Sequence, residues 1–441
     1  MDGFLRLITL QDSSTRTVLV GTVILGIAAA IVGTFAVLRR RALVGDAAAH
    51  AALPGTCVAF FVVGDRSFAG FMLGALLFAL LAAAFVAFVK SATRVKEDAA
   101  IGLAIGGFFG FGIVLSRIIQ RHPTGNKAGL DSFIFGKAAS MIESDVRLIA
   151  IVAAIVVAVV LLLYKEFTLL CFDRDFAQSQ GWPATALDLI LMTLICGCTV
   201  IGLPAVGVVL VVSMLVLPPV AARFWSDRLS TVVILSAIFG ALAAFLGTAI
   251  SATAPVPGIA GFSNSGWPTG PIITIVSASI FILSMLIAPR RGVLAAGLRA
   301  FLLRRRIGLQ NLLRSVYEHL EPGGDLGRPW AIGAAGEHSA AAPRAHRAGL
   351  ITTNQDGRFQ LTHAGQQAAS ELVRVHRLWE LFLIEQAAIA PDHVDRDADQ
   401  IEHLLPAAVL AELEERLQQT GRMPIGPSVV PTSPHPTMGP R

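Results

Sequence analysis

Long uninterrupted apolar segments are the feature that most restricts how this chain can fold. Nine of them reach the length needed to cross a bilayer as a helix, which takes about 20 residues. They lie at about 17–38, 46–63, 68–89, 99–120, 147–164, 184–203, 205–222, 229–252 and 270–288. Only 15% of the 441 residues are charged, whereas a soluble protein has roughly a quarter. The sequence therefore predicts an all-α polytopic membrane protein with about nine transmembrane helices.

The positions of lysine and arginine give the chain a consistent orientation, because these residues concentrate in cytoplasmic loops. If Arg39–Arg41 are cytoplasmic, alternation of the spans places four later basic groups inside as well. These are Lys90 with Arg94 and Lys96, Lys165 with Arg174, Arg223 with Arg228, and Arg290 with Arg291. The loop 121–146 falls outside although it carries basic residues. We expect an outer N-terminus, a retained first helix and a cytoplasmic location for everything after Pro289.

A change in composition divides the chain into three parts. Residues 1–292 carry the apolar runs, whereas 300–420 have charged helices with ordinary amphipathic spacing. The last segment, 421–441, is rich in Pro, Gly and Ser, which predicts disorder. We therefore expect a membrane domain, a second domain and a disordered tail.

Asp46 and His50 stand four residues apart in the second apolar run, "LVGDAAAHAALPG". On a helix they share a face, and ionisable residues inside a membrane usually have a function. A carboxylate and an imidazole together suit divalent ions such as Mn²⁺ and Zn²⁺. In the alternative interpretation, Asp46 caps the helix and His50 bonds a neighbouring helix. Spacing alone leaves both open.

Several motifs in order resemble the permease subunits of ABC importers for manganese, zinc and iron(II), the ABC-3 family. They are "FAVLRRRALVGDAAAHAALPG", "RVKEDAAIGLAIGGFFGFGIVL", "PTGNKAGLDSFIFGKAAS" and "IGLPAVGVVLVVSMLVLPPVAARFW", within about residues 15–292. The resemblance implies that Asp46 and His50 bind metal along the transport path. It also implies a second permease subunit, identical or related. A two-fold arrangement would bring the Asp–His pairs of both subunits to one axis and supply four ligands. Pro54 and Gly55 would shape the helix end or a kink beside the site.

The resemblance implies further partners. The chain has no GxxxxGK[ST] phosphate loop, so a separate ABC ATPase has to hydrolyse ATP, and this chain is not expected to be an enzyme. The stretch "FDRDFAQSQGW" resembles the coupling helix that docks on that ATPase. Asp173, Phe176, Ala177 and Gly181 match its pattern, although an ordinary amphipathic linker is the alternative.

An extracytoplasmic metal-binding protein would deliver the ion. The glycine-rich loop "PTGNKAGLDSFIFG", with Asp131, can meet that protein or gate the entrance, or it can form a re-entrant turn between helices.

The second domain carries two sets of ligand-type side chains at helical spacing. His376 and Glu380 are four residues apart, and Asp399, Glu402 and His403 fall on one helix face. Clusters of this kind bind Mn²⁺, Fe²⁺ or Zn²⁺, although a solvated face with salt bridges has the same spacing.

Residues of about 305–420 resemble the metal-responsive repressors of the diphtheria toxin repressor and manganese repressor family. "LLRSVYEHLE" would match the first helix and "HRAGLITTNQDGRFQLTHAG" the wing of an α+β winged-helix domain, followed by metal-binding and dimerisation helices. In this resemblance His376, Glu402 and His403 match metal ligands. Asp399 stands where a Cys or Glu is usual, and Glu380 matches an ancillary ligand.

The departures from that family are in the first helix and the DNA reader. Asn311 and Arg314 occupy positions that supply ligands in the family, and an arginine cannot ligate a cation. The recognition region, "IGAAGEHSAAAPRAHRAG", contains Pro343 and is rich in Ala and Gly, so we do not expect DNA binding. We expect a cytoplasmic regulatory or docking module that can bind a regulatory divalent metal. The alternative is a remnant of a repressor that only aids dimerisation or stability.

Together these features predict the permease subunit of an ATP-driven divalent metal importer in the inner or plasma membrane. Manganese is favoured over zinc and iron(II), because the second domain offers only oxygen and nitrogen ligands. No permanently bound cofactor is expected. The competing hypotheses are a membrane-bound metal-responsive transcriptional regulator and a metal transporter that works without an ATPase.

Overall fold

The computed structural model describes four ranges of the chain, 13–63, 68–121, 141–253 and 267–386. It also describes six residues beyond them: Val409, Glu412, Leu413, Glu415, Val430 and Pro431. The chain divides into two compact units, Met1–Ala296 and Gly297–Arg441. The loop 123–136 with Asp131 and nearly all of the tail 421–441 lie outside the described residues.

The first unit is a bundle of apolar helices, which confirms the predicted fold class. Eight helices in the described ranges are long and apolar enough to cross a membrane: α1 (Ser13–Leu38), α2 (Ala42–Val63), α3 (Phe68–Ala92), α4 (Glu97–Arg121), α5 (Glu143–Leu162), α8 (Ala184–Val206), α10 (Leu229–Thr253) and α11 (Thr269–Ile287). The ninth apolar helix, α9 (Val208–Arg223), has 16 residues. Two short helices, α6 (Tyr164–Phe172) and α7 (Arg174–Ser179), connect α5 to α8.

The break between α8 and α9 lies later than the sequence suggested. The predicted runs 184–203 and 205–222 place the break at residue 204, but α8 continues through Pro204 to Val206. The chain turns at Gly207, whose φ of 82° is a left-handed conformation that glycine adopts without steric cost. Its N–H donates to the carbonyl of Leu203 at 2.9 Å. The glycine, rather than the proline, therefore sets the boundary.

Small residues allow the helices of the first unit to pack at very short distances. A Cβ added at Gly55 of α2 would lie 2.2 Å from the carbonyl oxygen of Gly74 on α3. The same holds for Gly33 of α1, where a Cβ would lie 1.9 Å from the carbonyl oxygen of Leu215 on α9. Close backbone approach at small residues is the usual way in which membrane helices associate.

Buried hydroxyl groups connect α1 to α10. Thr22 and Thr248 lie 3.2 Å apart, and Thr34 donates to Ser236 at 3.1 Å. Thr22, Thr34 and Ser236 also lie within hydrogen-bonding distance of a carbonyl of their own helix, so all four hydroxyl groups have a polar partner. These contacts fix the register of the two helices in a core that is otherwise apolar.

The second unit has a winged-helix order of elements. Its described elements are α12 (Val293–Leu320), which begins just before the division, 3₁₀ segments at Glu321–Gly323 and Ile332–Ala341, α13 (Ala342–Arg347), strands β1 (Ile351–Thr353) and β2 (Phe359–Leu361), and α14 (His363–Gln386). The strands pair antiparallel with Ile351 opposite Leu361, and both side chains enter a core with Val316, Trp330 and Val373. At the position of a recognition helix stands α13, which has only six residues, with Pro343 in its first turn.

A partly buried ion pair ties the segment after α12 to α14. Arg377 donates to both oxygens of Glu321, at 2.7 and 2.6 Å, and to the carbonyl of Pro431 at 2.7 Å. Burial by itself would lower the pKa of Arg377, but the hydrogen bonds and charge of Glu321 raise that pKa above its usual value. The arginine is therefore fixed as a cation that joins three distant parts of the unit.

Candidate functional site

Asp46 and His50 lie one turn apart on α2, and Oδ1 of Asp46 is 3.5 Å from Nε2 of His50. Alanines and small residues around them, such as Ala47 and Ala51, are buried against the rest of the bundle. The two polar side chains are about 30% exposed instead, at 31% and 28%. The structure therefore brings the predicted pair together on a face of α2 that is only partly covered, between positions that are packed in the core.

This face opens into a cavity of about 630 Å³. Its walls come from α2, α4, α8 and α9 and are mainly apolar; they include Leu43, Leu53, Phe109, Leu203, Val209, Val212 and Leu217. Asp46, His50 and Ser213 are the charged or hydrogen-bonding side chains that line it. The ring of Phe109 meets the imidazole of His50 edge to face, with centroids 5.0 Å apart. Apolar walls strengthen the attraction of one carboxylate for a cation, because little solvent screens it.

The pair matches the chemistry of a divalent transition metal, but it supplies two ligands where such ions take at least four. Among the described residues of the chain, no group of three or more His, Cys, Asp or Glu side chains could hold a metal ion. Within the described part of the chain, any cation in this cavity therefore needs further ligands from water, from the Ser213 hydroxyl, from backbone carbonyls or from another subunit.

Pro54 acts on this site from within α2. We expected Pro54 and Gly55 to shape a helix end or a kink, and the helix in fact runs on to Val63. Proline has no N–H, so it cannot donate to the carbonyl four residues earlier, which belongs to His50. Gly112 of α4 packs at this point, because a Cβ there would lie 2.7 Å from the proline ring. The carbonyl oxygen of His50 therefore lacks the backbone hydrogen bond that it would accept in a regular helix.

A buried charged network lies just before α2. Asp188, near the start of α8, is 7% exposed. Arg39 donates hydrogen bonds to both carboxylate oxygens of Asp188. Its Nη2 donates to Oδ1 and Oδ2 at 2.9 Å each, and its Nε donates to Oδ1 at 3.2 Å. Arg39 also donates to the carbonyl of Leu170 in α6 at 3.1 Å. Bidentate arginine–carboxylate pairs are among the strongest polar contacts in proteins.

The four residues of the predicted coupling segment form one short structure at α7. Asp173 caps the helix, since its Oδ1 accepts from the N–H of Phe176 at 2.9 Å. Ala177 is buried, whereas Phe176 is 50% exposed. Gly181 takes a left-handed conformation with φ 84° and ends the segment. An exposed aromatic side chain on a capped helix is suited to enter a pocket on another protein.

In the second unit, His376 and Glu380 lie one turn apart, with Nε2 and Oε1 at 3.2 Å, and both are buried. Nη1 of Arg314 lies 3.0 Å from Nδ1 of His376. Arginine can only donate, so Nδ1 is the acceptor and Nε2 carries the proton that points to Glu380. A metal ion would have to displace Arg314 or Glu380 to reach this histidine. Asp399, Glu402 and His403 lie outside the described residues.

Sequence reasoning missed the network around Asp188 and the contribution of Phe109 and Ser213 to the cavity. Asp188 did carry a signal, because it is a lone charge at the start of an apolar run, "ATALDLILM". A charge in that setting requires a partner. Phe109 and Ser213 carried none, since aromatic and hydroxyl residues are ordinary in membrane helices.

Comparison with known families gives two matches. Residues 11–288 match the pattern of the ABC 3 transport family. Residues 362–429 match the iron dependent repressor, metal binding and dimerisation domain. The two matches fall in the two structural units.

Individual relatives extend these matches. The chain is 35% identical over 421 residues to the "Manganese transport system membrane protein MntC" of Bacillus subtilis, covering 94% of each protein. It is 38% identical to the "Zinc transport system membrane protein TroC" of Treponema pallidum, over 70% of this chain and 98% of that protein. Among solved structures, "PsaBC from Streptococcus pneumoniae in complex with Fab" is similar, with a TM-score of 0.56 and 29% identity over 65% of this chain and 97% of that one.

Proposed function

The chain belongs to the ABC 3 transport family, and we propose that it is the permease subunit of an ATP-driven importer whose first substrate is Mn²⁺. The observation that carries the proposal is the pair of Asp46 and His50 in an apolar cavity between α2, α4, α8 and α9. The manganese transport relative from Bacillus subtilis supports the choice of metal, because it aligns along 94% of the chain. The zinc relative makes Zn²⁺ the principal competitor.

In this proposal the cation passes through the cavity and is bound by Oδ1 or Oδ2 of Asp46 and by the imidazole of His50. The apolar walls hold the ion on these two side chains, because they offer it no other charged group. A second permease subunit, identical or related, brings a second pair, so that protein side chains supply four ligands and water fills the remaining positions of the octahedral shell that Mn²⁺ prefers.

The same proposal requires three partners. The sequence has no phosphate loop for ATP, so a separate ATPase supplies energy and docks at α7 through Phe176. An extracytoplasmic metal-binding protein delivers the ion on the opposite face. The second permease subunit is the third partner.

We propose that the second unit is cytoplasmic and regulates import. Basic residues before it, Arg290 and Arg291, support the cytoplasmic assignment, and the match to a metal-binding and dimerisation domain supports regulation. The described part of this unit does not fit a divalent metal as it stands, because Arg314 and Glu380 occupy both nitrogens of His376. Regulation through dimerisation needs no metal and is compatible with this arrangement.

The test is uptake of radiolabelled Mn²⁺ by cells that express the complete complex, with excess unlabelled Zn²⁺ or Fe²⁺ as competitor. We expect uptake that requires a hydrolytically competent ATPase and that Zn²⁺ blocks poorly. Accumulation of zinc or iron without manganese would overturn the choice of metal but leave the assignment as a permease subunit standing. Uptake that is unchanged when the ATPase is inactive would overturn the proposed mechanism.

A further inference from the structure

The carboxylate of Asp188 is shared by three arginines that belong to three parts of the first unit. Arg39, at the end of α1, holds it with hydrogen bonds. Nη2 of Arg41, just before α2, lies 3.8 Å from Oδ2, and Nη2 of Arg174, the first residue of α7, lies 3.9 Å from the same oxygen. One acidic group thus touches the segment before the transport helix and the proposed docking helix at once.

The three contacts are unequal. Arg39 already donates to both oxygens at 2.9 Å, whereas Arg41 and Arg174 are beyond hydrogen-bonding distance. Either one can gain a hydrogen bond by a shift of about 1 Å, and it then competes with Arg39 for the same oxygen lone pairs. Because Asp188 is buried, these exchanges occur where charge–charge energies are larger than in water.

Arg41 has a second acidic neighbour, which gives it an alternative position. Its Nε lies 3.6 Å from Oε1 of Glu97, at the start of α4, and Glu97 also pairs with Lys90. Glu97 is among the groups whose buried oxygen has no hydrogen bond in the structure, so Oε1 has capacity for a closer contact. Arg41 therefore stands between two carboxylates, one on α8 and one on α4, without a hydrogen bond to either.

The turn between α1 and α2 is held in an uncommon conformation. Arg40 has φ 57°, the left-handed region that non-glycine residues rarely adopt. Its two neighbours in sequence are Arg39 and Arg41, both anchored toward Asp188. Conformations of this kind persist where the surroundings over-determine them. A change in the contacts of Asp188 would therefore act directly on this turn, and Asp46 follows it on the first turns of α2.

We propose that Asp188 is a positioning residue that transmits movement of α7 to the α1–α2 turn and so to Asp46 and His50. The proposal rests on the proposed function, since it assumes that α7 docks on the ATPase. When α7 moves toward Asp188, Arg174 forms a hydrogen bond with the carboxylate, and Arg39 and Arg41 give up part of their contact with it. When α7 moves away, Arg39 and Arg41 regain that contact. The metal pair on α2 then changes its position relative to the walls formed by α8 and α9.

The experiment compares ATP hydrolysis with Mn²⁺ uptake in the complete complex reconstituted in vesicles. The variants are Asp188→Asn, Arg174→Gln and the double variant, and the matched control is Asp227→Asn. Asp227 also pairs with arginines, Arg290 and Arg291, but it is half exposed, and neither of these ion pairs includes an arginine that contacts Asp188. Co-purification of the ATPase measures docking separately.

We expect Asp188→Asn and Arg174→Gln to keep the ATPase bound and hydrolysing while metal moved per ATP falls about tenfold, a size typical of coupling between sites. The double variant should be no worse than Asp188→Asn alone, because Arg174→Gln has no contact left to remove once the carboxylate is gone. The control should match the wild type. If Asp188→Asn does not fold, the Arg174→Gln variant alone tests the proposal. Arg174 is partly exposed and lies 3.9 Å from Asp188, so its replacement should leave folding intact.

Uptake that falls only in proportion to hydrolysis, or additive losses in the double variant, would overturn the proposal. These results differ from failure of the proposed function, which would appear as a wild-type complex without ATP-dependent uptake.

Discussion

Two polar side chains on a helix of alanines determine the chemistry proposed for the whole chain. Asp46 and His50 are spaced so that both project from one face of α2, and the neighbouring positions between Val44 and Cys57 are buried in the bundle. The sequence could predict that they share a face, because four residues make about one helical turn. It could not predict the cavity, because Phe109, Leu203 and Val212 reach it from distant segments.

A single residue also restricts access to His376 in the second unit. Arg314 presents a fixed positive charge to His376 at 3.0 Å. A divalent cation at that histidine would face this charge, and a unit charge at about 4 Å is worth on the order of 4 kcal/mol at the dielectric typical near protein surfaces. The guanidinium thus takes the place that a metal would need.

Replacing this arginine should open the histidine to metal. We expect Arg314→Met, in the full-length protein with His50→Ala to silence the transport site, to bind Mn²⁺ or Zn²⁺ at least about tenfold more tightly than the same protein with Arg314 intact. Isothermal titration calorimetry measures this difference. Arg328→Met, at an exposed arginine of the same unit, is the control and should have no effect. Equal affinity with and without Arg314 would contradict this account.

At the scale of elements, close contacts between helices at glycine residues hold α2 in place. Gly55 and Gly74 bring α2 and α3 together so closely that neither position has room for a side chain. The contact lies one residue after Pro54 and within two turns of His50, so it also helps to fix the positions of Asp46 and His50.

Enlarging this contact should separate α2 from α3. We expect Gly55→Val to destabilise the folded protein by at least about 1–3 kcal/mol, because the added atoms meet backbone rather than a side chain that can move. Thermal unfolding in detergent, followed by fluorescence-detected gel filtration, measures the loss. Gly106→Val on α4 is the matched control, since a Cβ there meets nothing within 4 Å. Equal unfolding temperatures for the two variants would show that the contact is unimportant.

The elements themselves were largely predictable, because apolar runs of spanning length have few other solutions. Within the described ranges, nine apolar helices follow the nine runs, with ends that differ by a few residues. The boundary between α8 and α9 was misplaced, because Pro204 is a strong breaker in sequence whereas Gly207 takes the left-handed turn. The buried network at Asp188 depends on residues more than 140 positions apart, such as Arg39 and Asp188, and no local pattern joins them.

At the scale of the whole molecule, the chain combines a transport bundle with a unit related to metal-dependent repressors. The two family matches fall in separate units, and the relative from Bacillus subtilis aligns through both. The second unit has the wing of its family but a six-residue helix in place of a DNA reader. This favours a regulatory part of a transporter over a transcriptional regulator anchored in the membrane.

The central claim is that the transported ion binds Asp46 and His50, and ATP-dependent uptake of radiolabelled Mn²⁺ by the His50→Ala complex tests it most directly. Removal of the imidazole leaves one protein ligand per subunit, so we predict uptake at background level while the ATPase still co-purifies in normal amount. His346→Ala, at an exposed histidine of the second unit, should transport like the wild type. Normal uptake by the His50→Ala complex would contradict the account.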